Sequence, residues 1–462
     1  MKRNINKQIK TIALLFFGFC SALNAQTKQW SLEECIQYAI ENNITIKQIE
    51  LQKENAEITL NTSQNSRLPN LNAGAGQEWS AGFSPAQNGV YESQTRTNSN
   101  LSVTSSMPVF TGFRIPNEIK KNKFELMAAA ENLEKAKEDL SLNIASLFLQ
   151  VLFNKEIVKV NEEQLLLSQS QIEKTKALVE VGKVPQSQLY DIEAQVANDE
   201  VSLIQAKNNL ELALLDLMQS LELEQASCFD IYAPEIGNVV EEYMSSVQPS
   251  HLVFDNAVAI KPVIKEQEYR IESAKKSLEI AKAGYMPDLN LNLGYGTSYF
   301  YVYNLKPVTD LKTGEVYTPK NDSFSYQFKN NGREYIGLSL SVPIFNRFSV
   351  RNQVRSARVN ISNQQLALDN AKKTLYKEIQ TAYLNATSAQ EKYRASGRAV
   401  TATSESFKYA QERYEVGKSS VFEFNEARTR WLQSQSEQIQ AKYDYIFRTK
   451  ILDFYNGIKI KL

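Results

Sequence analysis

Two periods organise this chain. Over 144–179 apolar residues return every seventh position, as Ile144, Val151, Val158, Leu165, Ile172 and Val179, which is the spacing of a coiled-coil seam. A second series starts apolar at Leu126, Leu133, Leu140 and Leu147 and turns polar at Asn154, Asn161, Ser168 and Thr175. Its simplest reading is a helix whose second face becomes solvated; the alternative is a wall that faces a wet interior. Elsewhere the period is two. Leu71, Ala73 and Ala75 alternate with Asn72, Gly74 and Gly76, and Leu101 and Val103 alternate with Ser102 and Thr104. Leu289, Leu291, Leu293 and Tyr295 alternate with Asn290, Asn292, Gly294 and Gly296. Ile336, Leu338, Leu340 and Val342 alternate with Gly337, Ser339 and Ser341. The pattern predicts four strands with one apolar face and one small or polar face.

Between the strands lie long runs without helix breakers. Residues 117–181, 186–233 and 418–456 hold neither proline nor glycine, and 346–416 holds only Gly397. Such runs, rich in Ala, Leu, Glu, Lys and Gln, predict helices. The first would be about 98 Å long at 1.5 Å per residue. The breakers themselves recur. Pro108 and Pro343 are 235 apart, within Met107-Pro108-Val109-Phe110 and Val342-Pro343-Ile344-Phe345. Gly182 and Gly417 are also 235 apart, within Glu180-Val181-Gly182-Lys183 and Glu415-Val416-Gly417-Lys418. Leu68-Pro69 and Met286-Pro287 are 218 apart, as are Ala39 and Ala257. The second half therefore carries 17 more residues, mostly in a loop ending near Asn331.

The chain is thus a tandem repeat, each half reading helix, strand, loop, strand, long helix, tight turn, long helix. The first repeat is 26–233, with a strand hairpin near 70–106 and a helical hairpin near 117–222. A connection at 234–250 leads to the second repeat, 251–462, with hairpins near 288–342 and 346–456. Residues 1–25 read as a secretory signal. Lys2, Arg3, Lys7 and Lys10 precede the apolar Ile12 to Phe19, and Ala25 is the candidate cleavage residue. That apolar stretch is too short to span a bilayer. Phe19 before Cys20 argues against a lipid anchor there. Cys35 and Cys228 then remain, either as one disulfide or as two small buried side chains.

Composition narrows the function. Lys+Arg and Asp+Glu both number 52 in 462 residues, so there is no basic excess for a nucleic-acid partner. His251 is the only histidine, which excludes a multi-histidine metal cluster. No phosphate-binding glycine loop follows a strand. No catalytic residue, cofactor or metal is expected, so the chain does not read as an enzyme. No segment after the signal is a membrane helix, so a membrane role must use the strands. Aromatics at the strand ends fit an interfacial girdle: Trp79, Phe83, Tyr299, Phe300, Tyr301 and Tyr303 at one end, Phe110 and Phe345 at the other. Four strands cannot close a barrel, and an open sheet edge is not viable in lipid. Three copies would pool about a dozen strands.

The order of these parts resembles the TolC-like outer-membrane efflux proteins over nearly all of the mature chain. The likeness rests on the opening helix from Ser31-Leu32-Glu33-Glu34-Cys35 to Asn43, on Leu68-Pro69 and Met286-Pro287, on Val-Pro-Ile-Phe at 342–345, and on the two Val-Gly turns. It implies a mainly α fold with a small β part. Three chains would form a periplasmic α-helical barrel continuous with a 12-stranded β-barrel in the Gram-negative outer membrane. It implies a passive exit duct for efflux or type I secretion, working with a periplasmic adaptor (membrane fusion) protein and an inner-membrane transporter. Val181, Gly182, Lys183, Val416, Gly417 and Lys418 would be the adaptor-docking tips. Family members often narrow the pore with acidic residues before the second turn. Here the matching stretch holds Glu405, Lys408, Gln411 and Glu412 without an aspartate pair, and a solvated helix face is the simpler reading for them. The alternative to a duct is a periplasmic coiled-coil scaffold or adaptor without a pore.

Overall fold

The computed structural model describes residues 29–85, 91–223, 229–233, 248–310 and 313–461. The signal segment, most of the 234–250 connection and Cys228, with its pairing to Cys35, lie outside the described residues. In chain order the first repeat holds β1 (Gln29–Trp30), α1 (Leu32–Asn42), α2 (Ile44–Asn65), β2 (Asn72–Pro85), β3 (Tyr91–Thr111), α3 (Arg114–Glu180) and α4 (Gln186–Ser220). After β4 (Asp230–Ile231) come α5 (Ser250–Ile260), α6 (Pro262–Ala283), β5 (Asp288–Val302), β6 (Val308–Thr309) and β7 (Val316–Tyr317). The chain ends with α7 (Phe324–Asn330), β8 (Arg333–Ser341), α8 (Ser349–Glu415) and α9 (Val421–Tyr455).

The helices of the two repeats match in length. α1 and α5 have 11 residues each, α2 and α6 22, α3 and α8 67, and α4 and α9 35. The strands do not match, at 14 and 21 residues for β2 and β3 against 15 and 9 for β5 and β8. The residues divide into a helical unit (1–53, 130–266 and 368–462) and a sheet unit (54–129 and 267–367).

In the helical unit α1 begins with a capping box. The Ser31 hydroxyl accepts from the Glu34 N–H at 3.2 Å, and the Glu34 carboxylate accepts from the Ser31 N–H at 3.0 Å. Cys35 and Ala39 on its inner face are fully buried, in a core with Ile144, Phe148, Val151 and Leu152 of α3, Leu217 of α4 and Tyr445 of α9. β1 pairs with β4 in parallel, Gln29 beside Asp230. One expectation is overturned here. The polar half of the second α3 series is not solvated: Asn154, Ser168 and Thr175 are buried, as are Gln164 and Gln171 between them. Small hydroxyls bond back to the helix, as Ser168 does to the Leu165 carbonyl at 3.0 Å, and Asn154 donates to the Asn209 carbonyl at 3.4 Å. Side chains that satisfy themselves in this way can lie inside a helix interface.

In the sheet unit the four main strands order as β2-β3-β5-β8, antiparallel throughout. β3 is longer than its period-two segment suggests. It runs through Pro108, which pairs with Asn290, and takes up the missing N–H with a bulge before Phe110. α3 then starts at Arg114, which puts Pro116 in the first turn, where no N–H is required.

Candidate functional site

The register sorts the sheet into two faces. Ala73, Val103 and Tyr295 stand abreast, then Ala75, Leu101 and Thr297. Leu289, Leu291 and Leu293 stand beside Leu340, Leu338 and Ile336. On the opposite face Asn72, Thr104, Gly294 and Tyr335 form one row, and Gly74, Ser102, Gly296 and Arg333 the next. A Cβ at Gly294 would run into the Tyr335 ring, so the glycine is required for this ring to lie on the sheet. The apolar face is open to its surroundings: Trp79 is 69% exposed, Phe83 78% and Ile336 74%. Trp79, Phe83, Tyr91, Tyr299 and Tyr301 share it at the end away from α3 and α8. Among them Gln77 donates to the Thr97 hydroxyl and accepts from that of Ser99.

At the other end each repeat turns from strand to helix through two consecutive left-handed residues, Gly112-Phe113 (φ 58° and 67°) and Arg347-Phe348 (φ 54° and 62°). Non-glycine residues rarely adopt this conformation, which costs about 1–2 kcal/mol each. Each turn closes on an edge-to-face ring pair, Phe110 with Phe113 at 5.4 Å and Phe345 with Phe348 at 5.5 Å. Phe113 and Phe348 were missed from sequence, although they too are 235 apart.

The sheet's outer edge carries a second unexpected feature. β8 pairs with β5 only as far as Gly296. Beyond it side-chain amides occupy the ladder. Asn331 donates to the Ser298 carbonyl at 2.7 Å. Gln327 of α7 bonds the N–H and carbonyl of Phe300 at 3.1 and 2.9 Å. Asn321 does the same for Val302 at 3.0 and 2.8 Å. Backbone groups of an edge strand are thereby satisfied without another strand.

Both predicted tips are tight helix C-caps. Gly182 has φ 69° and Gly417 φ 73°. The Lys183 N–H reaches the Leu178 carbonyl at 2.9 Å, and the Lys418 N–H reaches that of Arg413 at 2.8 Å. This is the Schellman arrangement, which calls for positive φ. Val181 and Val416 are exposed beside them. α9 then restarts at Ser420, whose hydroxyl accepts from the Glu423 N–H at 3.2 Å. Of the four candidate constriction residues, Glu405, Lys408 and Glu412 are exposed on α8, and Gln411 is half-buried and donates to Glu415 at 3.3 Å. His251 sits exposed in the first turn of α5.

Two buried ionic contacts escaped the sequence reading. Arg428 of α9 meets Asp199 of α4 at 2.6 Å, with 3% and 8% of their side chains exposed. The guanidinium also donates to the Gln164 carbonyl of α3 at 3.2 Å, so one group joins three helices. Burial pulls its pKa down, against the pull of Asp199. Lys261, between α5 and α6, lies 3.2 Å from Glu138 and 3.4 Å above the Phe454 ring centre. Burial lowers the Lys261 pKa and raises that of Glu138. Among the described residues no helix is long and apolar enough to cross a membrane.

A sheet apolar on one face, rimmed by aromatics at both ends and joined to duplicated long helical hairpins, defines a channel subunit that enters the membrane through its strands. Known proteins place it further. Residues 35–222 and 253–452 match the family described as outer membrane efflux protein. The chain is 22% identical over 439 residues to outer membrane protein TolC of Escherichia coli, covering 94% of this chain and 83% of that one. It is 21% identical over 443 residues to toxin and drug export protein A of Aggregatibacter actinomycetemcomitans, covering 92% and 86%. Its fold is similar to the solved structure of CusC, a transmembrane channel, with a TM-score of 0.74 at 16% identity over 96% of each chain. The chain belongs to the outer membrane efflux protein family. It is an exit duct of the Gram-negative outer membrane that extends into the periplasm.

Proposed function

We propose that three copies pool their sheets into one closed barrel of roughly a dozen strands. The paired helices would build the periplasmic tube. The observation that carries this reading is the strand order. β2 and β8 are the sheet's edges and have no further partner strand among the described residues, and all nine residues of β8 are exposed. In lipid each unsatisfied backbone group costs several kcal/mol, so the apolar face can meet lipid only if further copies close the edges.

Solute would pass through this tube from an inner-membrane transporter, by way of a periplasmic adaptor, in tripartite efflux or type I secretion. The likeness to a toxin and drug export protein supports both kinds of cargo. The energy for transport would come from the transporter. Val181, Gly182, Lys183, Val416, Gly417 and Lys418 would dock the adaptor. Glu405, Lys408, Gln411 and Glu412 would line the tube just above the second tip. A pore-free scaffold would leave the aromatic-rimmed apolar face without a role. Crosslinking in outer-membrane fractions should give a trimer, and the purified chain should conduct in a planar bilayer. Recovery as a soluble periplasmic monomer would refute the proposal.

A further inference from the structure

The second repeat's extra residues lie between β5 and β8, and their described arms, 303–310 and 313–323, are fastened against the sheet. On the outgoing arm the Tyr303 N–H donates to the Thr95 carbonyl at 2.8 Å. Asn304 accepts from the Thr95 N–H at 2.8 Å and donates to the Ser93 carbonyl at 2.9 Å. On the return arm Asn321 holds both backbone groups of Val302. Each arm is thus stapled by a side-chain amide using both its donor and its acceptor.

Where the arms lie follows from what they share. Leu305, Lys306 and Val308 of one arm and Pro319, Lys320 and Asp322 of the other line a cavity of about 560 Å³ with the upper strands. Apart from Pro85 at a strand end, the strand residues lining it carry even numbers, the parity of the polar face in β2, β3 and β5. Lys306 reaches Glu92 on that face, 3.7 Å away. The aromatics of α7 go the other way: Phe324 meets Tyr299, on the apolar face, at 5.1 Å.

We propose that the two arms overhang the lumen and form an outer constriction of the duct, at the sheet end remote from the long helices. This rests on the trimeric reading above, in which the polar face lines the pore. The constriction selects by size rather than by charge. Arg96, Lys306 and Lys320 stand with Glu78, Glu92 and Asp322 around the cavity, so its formal charge is balanced. Three such overhangs restrict bulky solutes at the mouth and leave small ions of either sign free to pass.

The test is single-channel conductance of the full mature chain in a planar bilayer. A Lys320→Cys variant is treated from the outer side with a bulky, water-soluble methanethiosulfonate. Conductance should fall in up to three steps, one per subunit, to a total loss of roughly two-fold or more. The parent chain, with its own cysteines, should not respond. An Asn304→Ala/Asn321→Ala variant, with both staples removed, should conduct more and flicker. Unchanged conductance in trimers shown by mass spectrometry to be fully labelled overturns the proposal, as does failure of the reagent to reach Lys320→Cys. A chain that conducts nothing before labelling would instead refute the trimeric reading.

Discussion

The Arg428–Asp199 pair allows a sharp test of how the helical unit is held together. Asp199 also accepts from Gln195 at 2.9 Å, and Arg428 also donates to the Gln164 carbonyl. Replacing Arg428 with Met leaves a buried carboxylate facing one neutral amide. Replacing Asp199 with Leu leaves a buried guanidinium facing neutral oxygens. Breaking a buried pair from one side costs about 3–5 kcal/mol, whereas replacing both partners with apolar residues of similar volume is close to neutral. Each single variant should therefore be clearly destabilised, and the double variant Arg428→Met/Asp199→Leu should recover most of the loss. The double-mutant cycle should give a coupling of about 2 kcal/mol or more, at the upper end for contacting residues. The readout is the thermal unfolding midpoint of the purified protein in detergent. Each single change should lower it by on the order of 5 °C, since domains of 150–250 residues lose about 2–4 °C per kcal/mol and a longer chain less. If the double variant is as unstable as the two single losses combined, the pair is not a coupled lock and this account of the three-helix junction is wrong.

Four further outcomes are expected. Gly182→Ala and Gly417→Ala should each cost only the left-handed strain of about 1–2 kcal/mol, because nothing lies within 4 Å of either new Cβ. Gly112→Ala should cost more, since its Cβ would lie 2.5 Å from that of Met286, and equal midpoint losses in all three would refute the distinction. Bulky or charged replacements at Gly182 or Gly417 should reduce export in cells while crosslinked trimers persist; normal export in both would argue against tip docking. Burial, and then the Glu156 carboxylate 3.1 Å away, raise the Tyr443 phenol above its ordinary value near 10. Its contribution to stability is thus complete below about pH 10 and lost as pH rises beyond it, so Tyr443→Phe should flatten the alkaline fall in melting temperature between pH 9 and 11. Trp79, on the apolar face, should be quenched by brominated lipid chains in a Trp30→Phe/Trp431→Phe background. Trp431, stacked on Phe407 at 4.9 Å in the helical unit, should not be quenched in the matching Trp30→Phe/Trp79→Phe background.

The long helices and their turns were legible because proline and glycine punctuate them and recur at a fixed offset. The strand faces were legible because period two survives in all four segments. The rest was hidden for identifiable reasons. Pro108 reads as a strand end, yet a bulge lets β3 continue past it. Asn154, Ser168 and Thr175 read as solvated because a heptad equates polar with exposed, whereas bonds to backbone carbonyls allow Asn154 and Ser168 to be buried, and Thr175 is buried without one. Arg428 and Asp199 look like two ordinary surface charges 229 positions apart, and only the helix packing brings them together. Asn304, Asn321, Gln327 and Asn331 look like loop residues, since nothing in a sequence marks an amide that will stand in for a strand.

The two repeats differ where the surroundings permit it. Under the proposed tip docking, hairpins whose turns meet one adaptor together would have to be equal in length, and α3 with α4 matches α8 with α9 residue for residue. A strand crossing an outer membrane needs only about 9–11 residues. β8 has nine, the lower limit, while β2, β3 and β5 run well past it. Past Gly296 the β5 backbone finds its partners on the β8 side in side-chain amides instead of a paired strand. That is the level at which β8 stops and the amides of Asn331, Gln327 and Asn321 take over the ladder. The chain saved by a short β8 is available for the arms at 303–323, so the same departure from symmetry that trims the barrel wall supplies the material at its mouth.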